Sequence, residues 1–316
     1  MSNSIILHWF PESPFASRVA WALNYKNVDY KTVVVSQIEP RPLRRPLDGG
    51  YRKTPILQID DHVFCDTKII LEELEKRYPE PSFYPTTRSG LPTQGLCKAL
   101  EIWAANGLMY SVMPQFSAAD IPESLYNDRA PLFGLSSKKE AIADAPYLAI
   151  EMQAQLGIAD ELLRGNSEGK EWFLDTSAPS LADFHFGMCL CFVLKFVDET
   201  LVKKRFPLLL DHQKRFLEVV KDKLGEGRPV LSEREALEAS KSKSLFEPIA
   251  ISEDSPLKAG VLVSVTPLDT GKIPVIGTLV QLTAQEVVIK RMNEEYGTDV
   301  FNHFPLVGFS VLPVKQ

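Results

Sequence analysis

Three short stretches hold most of the chemistry that this sequence offers. Ser13 is followed by Pro14 and Phe15 in "HWFPESPFASRVAWAL", Lys53, Thr54 and Pro55 sit together in "RKTPIL", and Asp66 and Thr67 precede "KIILEEL". A serine before a proline is a well-formed helix entrance, since the hydroxyl caps exposed N–H groups and proline at the first helical position has none to leave unpaired. The same geometry can do chemistry, because a helix N-terminus favours an anion and a hydroxyl placed there can donate to a sulfur. Ser17, one turn on, is the competing hydroxyl. Asp66 and Thr67 are likewise ordinary helix caps. Pro55 reads either as the start of an edge strand or as a cis residue that leaves the backbone of Thr54 open to strand-like pairing.

Other motifs fail on context. "DTG" at Asp269 to Gly271 has the composition of an aspartic-protease loop, but that chemistry needs two carboxylates sharing one proton. A single copy followed by Lys272 and Pro274 reads as a hairpin turn. There is no HExxH, no phosphate loop and no dinucleotide fingerprint. The five histidines, His8, His62, His185, His212 and His303, are scattered; His303, in "FNHFP", reads as structural. Cys189 and Cys191 lie in the apolar run "FHFGMCLCFVLKFV" and read as buried thiols, since no second Cys/His cluster accompanies them. No metal is therefore expected.

The elements that must position these residues follow from pattern. "SIILHWF" and "DYKTVVV" are strand-like, with the helical spacing of Val19 and Leu23 between them, which predicts a βαβ unit. The Pro- and Gly-rich "IEPRPLRRPLDGGYRKTP" reads as a loop or an irregular short helix, and its Arg41, Arg44 and Arg45 as a solvated run. "PILQIDDHVFC" predicts two short strands joined at Asp60 and Asp61, and "DTKIILEELEKRYP" a helix stopped before Pro79. From about 93 to 240 the pattern is helical. Leu96, Leu100, Trp103, Gly107 and Tyr110 share one face there, a long helix ends near Gly165, and "SLADFHFGMCLCFVLKFV" is a buried central helix opened by a Ser180–Asp183 capping box. Beyond residue 257, "GVLVSVTP", "VIGTLVQLTAQEVVIKRM" and "HFPLVGFSVLPV" are rich in Val, Ile and Leu between turn residues and predict a small β-rich unit.

The chain has 316 residues, 45% hydrophobic and 24% charged, with a formal net charge of -6, which is ordinary for a soluble globular protein of two or three domains. That balance argues against nucleic acid or an anionic membrane as the main partner, and no apolar run is long enough to span a bilayer. Four cysteines without a cationic-then-apolar leader predict a cytoplasmic protein with free thiols.

Taken in order, "SPFASR", "KTPIL", "DT" before "KIILEEL", and "PSLADF" resemble the glutathione transferase family over about residues 4–240. The motifs are omega- and zeta-like, with Ser where the omega class carries Cys. The resemblance implies a thioredoxin-like α/β domain over 1–82 and an all-helical domain over 93–243, to which 257–316 adds an unfamiliar β-rich extension. It implies that Ser13 addresses the glutathione sulfur, that the Thr54 backbone before a cis Pro55 pairs with the cysteinyl group, and that Asp66 and Thr67 receive the γ-glutamyl end. Lys53, and less surely Arg52, would meet the glycyl carboxylate, with help from Arg41, Arg44 and Arg45 as the alternative to their reading as a solvated run. Phe15, Trp103, Tyr110, Met113 and Phe116 are the candidates for an apolar wall against a small hydrophobic electrophile, although an aromatic stripe at helical spacing also reads as core. The implied activity is a glutathione transferase of detoxification or secondary metabolism, working as a homodimer with glutathione as co-substrate. A zeta-type isomerase or eliminating enzyme, and a non-catalytic scaffold of the same fold, are the alternatives.

Overall fold

The computed structural model describes residues 4–135, 137–165, 171–221 and 223–315. The chain divides into two compact units. One comprises Met1–Leu23, Val28–Leu74 and Gly225–Gln316, and the other Asn24–Asn27 with Glu75–Leu224.

Among the described residues, the first unit is built on one sheet of nine strands. β1 (Ile5–Trp9), α1 (Pro14–Tyr25) and β2 (Lys31–Val34) form the expected βαβ start, with β1 and β2 parallel and Leu7 opposite Thr32. After a 3-10 turn at Pro42–Arg44 and the single turn α2 (Arg45–Asp48), β3 (Ile56–Ile59) pairs antiparallel with β1, and β4 (His62–Cys65) with β3. Asp60 takes the left-handed conformation, φ 53°, at the tight β3–β4 turn. α3 (Thr67–Arg77) follows, stopping before Pro79 as the sequence requires.

The β-rich C-terminal segment, expected as a unit of its own, instead extends this sheet. β5 (Leu262–Pro267), β6 (Val275–Leu282), β7 (Glu286–Asn293), β8 (Thr298–Pro305) and β9 (Phe309–Pro313) give the order β2-β1-β3-β4-β8-β7-β6-β5-β9. The junction is a parallel pairing of β4 with β8, Val63 opposite Asn302. Its physical reason is a shared core. Tyr51, Ile56, Val63 and Cys65 pack in one buried cluster with Val263, Val275, Leu279, Val287, Val300, Phe304 and Phe309. The buried Asn302 side chain donates to the Leu47 carbonyl at 2.8 Å, and His303 bridges His62 and Glu286 at 2.7 Å each. Leaving the C-terminal segment separate would expose the β4 edge and the apolar face beside it.

The second unit holds α4 (Gln94–Trp103), α5 (Met109–Ala118), α6 (Glu123–Phe133), α7 (Lys138–Leu163), α8 (Leu181–Val193), α9 (Glu199–Arg205) and α10 (Pro207–Val219). α4 runs into α5 through a π turn at Ala104–Leu108. α8 is buried over almost its whole length. Its Asp183 is more than the cap expected: besides the Ser180 N–H and hydroxyl at 2.7 and 2.8 Å, the carboxylate accepts from the Phe173 N–H at 3.0 Å and His212 Nε2 at 2.9 Å. The helical domain expected over 93–243 is shorter at its end. The chain returns to the sheet unit at Gly225, where α11 (Glu233–Ala239) lays Ala236 against Ile6, Phe10, Val33 and Val35.

Candidate active site

Ser13 is buried at the entrance to α1, and its Oγ accepts from the Ala16 N–H at 3.3 Å. It is therefore an N-cap, as the Ser-Pro sequence requires. The hydroxyl proton remains available, and the helix N-terminus adds a field that favours a negative neighbour. Ser17 is differently placed. Its hydroxyl donates to the Ser13 carbonyl at 3.1 Å, inside the helix, which commits that proton to the backbone.

The Lys53–Pro55 stretch enters β3 through a cis peptide bond between Thr54 and Pro55. It is held from behind by Arg44. The Arg44 guanidinium donates to Asp48 at 2.6 Å, to Thr54 Oγ1 at 2.7 Å, and to the carbonyls of Tyr51 and Lys53 at 2.9 and 3.2 Å. Its side chain and that of Asp48 are both wholly buried. Arg41 is buried too, donating to the carbonyls of Ser36, Gln37 and Arg52. The arginine run expected to be solvated thus turns two of its three side chains inward; Arg45 stays partly exposed and pairs with Glu39 and Asp48. Nothing in local pattern marks this, because the partners are mostly backbone carbonyls of a loop.

Asp66 and Thr67 open α3. Asp66 has φ 96° and is buried, and its Oδ1 accepts from the Lys68 N–H at 3.0 Å, its Oδ2 from the Tyr51 hydroxyl at 3.3 Å. Burial alone would raise its carboxyl, but Lys68, Lys53, the Lys68 N–H and Arg18 outweigh that and hold it below the usual carboxylate range. It is an anion ready to receive an ammonium. Thr67 Oγ1 accepts from Arg18, which ties α1 to α3 directly. Lys53 Nζ lies 4.0 Å from Asp66 Oδ2, but its closest partner is Asp269, at 2.6 and 2.7 Å to the two carboxylate oxygens. Asp269 belongs to the "DTG" turn that the sequence offered only as a hairpin. Arg44, Tyr51, Arg18 and Asp269 are the site residues that sequence reasoning missed or set aside.

Of the candidates for an apolar wall, Phe15 lies in the sheet unit, half-buried, with the Arg18 guanidinium 5.8 Å from its ring centre. The other four lie in the helical unit. Trp103 donates to Gln155 at 2.8 Å and packs on Phe186, Tyr110 meets Phe133 edge-on, and Phe116 clusters with Phe192 and Phe196. Met113 is buried at 7% exposure, which fits core packing. Among the described residues no cluster of three or more His, Cys, Asp or Glu side chains is arranged to hold a metal, and no helix is long and apolar enough to cross a membrane.

Comparison with known proteins bears on the fold. Residues 7–82 match the family model described as "Glutathione S-transferase, N-terminal domain". A probable glutathione S-transferase from Solanum tuberosum is 32% identical over 73 residues, 23% of this chain and 34% of that protein, so the match spans about a third of the relative's length. Among solved structures, a GST-like protein from Pseudomonas syringae is similar over 99% of this chain and 100% of its own, at 26% identity and a TM-score of 0.71. A glutathione S-transferase from Methylobacillus flagellatus, with glutathione bound, covers 72% of this chain and 100% of its own at 21% identity and a TM-score of 0.52, a likeness of fold alone.

Proposed function

We propose, from the premise that this chain is a glutathione S-transferase family protein, that it binds glutathione along Ser13, Lys53–Pro55 and Asp66–Thr67 and activates its thiol for attack on a small hydrophobic electrophile. One observation carries the reading. Three motifs far apart in sequence are tied into a single network, with Arg18 of α1 bonded to Thr67 of α3, Tyr51 to Asp66, and Arg44 to Thr54.

In this reading the γ-glutamyl ammonium meets Asp66, its carboxylate meets Thr67 and the α3 N-terminus, and the cysteinyl group pairs with the Thr54 backbone. The sulfur then lies at Ser13. A free thiol has a pKa of ~8.5, so holding it as thiolate near neutral pH raises its reactivity. Serine does not act as the base: the thiol proton goes to water, and the Ser13 hydroxyl donates to the sulfur anion. The thiolate forms a bond to carbon while the leaving group departs with its electron pair. Phe15, half-buried two residues after Ser13, is proposed to contribute to the apolar wall.

The test is glutathione conjugation to a halogenated nitroaromatic probe. A hydrogen bond to a charged acceptor is worth about 1.5–3 kcal/mol, so Ser13→Ala is expected to lower kcat/KM roughly 10- to 100-fold. Ser17→Ala is expected to stay within about threefold, since its proton already serves the helix. Equal losses in both variants, or none in Ser13→Ala, would refute the assignment of the sulfur to Ser13.

A further inference from the structure

We infer that Asp269, on the turn between β5 and β6, is a built-in competitor for Lys53, so that the site takes thiol peptides with a masked C-terminal carboxyl about as well as those with a free one. The inference rests on the glutathione-binding reading above and deepens it.

Both carboxylate oxygens of Asp269 contact the Lys53 ammonium, at 2.6 and 2.7 Å, which leaves little of that cation for another anion. Asp66 Oδ2 lies 4.0 Å away and the Phe309 ring centre 5.7 Å. The ammonium therefore already faces two carboxylates, and the glycyl carboxylate of an incoming peptide would be a third.

The turn is held in place by its backbone. The Leu268 N–H donates to the Gly308 carbonyl at 2.9 Å and the Ile273 N–H to that of Gly271 at 2.7 Å. Gly271, φ +60°, sits so close to the Arg52 side chain that a Cβ there would lie 3.1 Å from Arg52 Cβ and Cγ. Asp269 thus reaches Lys53 because β5 and β6 belong to the same sheet as β3.

The pair is also exchangeable. The Lys53 and Asp269 side chains are 22% and 40% exposed, and ion pairs open to water are weak and screened. A peptide carboxylate can displace Asp269, which then turns to solvent. One carboxylate has replaced another on the same cation, so the free carboxyl adds little net affinity.

The experiment is calorimetric titration of the full chain and of Asp269→Asn with glutathione and with its glycyl monoethyl ester. The wild type is expected to bind the two within about twofold of each other. Asp269→Asn releases Lys53 and is expected to bind glutathione about three- to tenfold more tightly, the range for a charge-assisted contact regained at a partly exposed site, with the ester unchanged. The ratio is taken on one sample, so partial unfolding of the variant changes the stoichiometry and not the ratio. The same glutathione-to-ester ratio in both proteins overturns the role of Asp269 and leaves the thiol-site reading standing. Failure of both proteins to bind either peptide overturns both.

Discussion

Arg44→Lys isolates what holds the Lys53–Pro55 loop in place. Lysine keeps the charge and can still reach Asp48, but it lacks the planar fork that serves several acceptors at once. Four contacts depend on that fork, at 2.6, 2.7, 2.9 and 3.2 Å to Asp48, Thr54 Oγ1, Tyr51 O and Lys53 O. The Tyr51 carbonyl retains Arg45 at 3.1 Å, so the groups left short are the Lys53 carbonyl and the Thr54 hydroxyl. Hydrogen bonds to a charged donor are worth about 1.5–3 kcal/mol each. The substitution should therefore cost about 3–6 kcal/mol, a large share of a domain stability of about 5–15 kcal/mol. Urea unfolding measures that term, and glutathione titration of the folded variant measures the second consequence, weaker binding through a loosened Thr54. Arg44→Ala is less informative, since it also leaves Asp48 buried beside Arg45 alone and can abolish folding. A cost under ~0.5 kcal/mol with unchanged glutathione affinity would refute the reasoning, because contacts so buried cannot be replaced by water.

Three further outcomes follow. Asp183→Ala removes one acceptor from four donors, Ser180 N and Oγ, Phe173 N and His212 Nε2; at about 1–3 kcal/mol per buried orphan the loss in urea unfolding should exceed ~3 kcal/mol, and a loss under ~1 kcal/mol would contradict it. Burial, only partly offset by the Gln58 hydrogen bond, lowers the His8 pKa to about 4. The unfolded imidazole takes its proton near 6.5, so stability is full above that pH and falls as pH drops through the window from 6.5 to about 4. The term is worth about 3 kcal/mol, and a stability difference between wild type and His8→Gln that stays constant over that window would count against it. Deleting residues 257–316 removes Val263, Val275, Val287, Val300 and Phe304 from a core shared with Tyr51, Ile56 and Val63 and bares the β4 edge; the product should aggregate, and a monodisperse truncated chain that still binds glutathione would show the sheet to be separable.

What the sequence discloses and what it withholds divide along physical lines. The Ser13 cap, the tight turn at Asp60 and the Asp183 capping box are local, each decided by a few adjacent residues, and all three are legible. Strand character beyond residue 257 is legible for the same reason. The partner of β8 is not, because Val63 and Asn302 meet across more than two hundred residues and nothing near either names the other. Arg44 is hidden differently. A basic run beside prolines looks solvated, and only the folded loop turns its carbonyls toward the guanidinium. Asp269 shows both limits at once: its turn was legible, but its contact with Lys53 needed the shared sheet. The aromatic stripe from Trp103 to Phe116 carried two meanings in the sequence, and its packing on Phe186, Phe133 and Phe192 explains its helical spacing without any ligand.

The most direct measurement is calorimetric titration of the purified protein with glutathione, with thiol ionisation of the bound peptide followed by ultraviolet absorbance, on wild type and Ser13→Ala. The account predicts binding, a bound thiol pKa below the free value of ~8.5, and a rise of about one to two units in the variant, the equivalent of one hydrogen bond to an anion. No binding at millimolar glutathione, or a thiol pKa that is the same in both proteins, would contradict it.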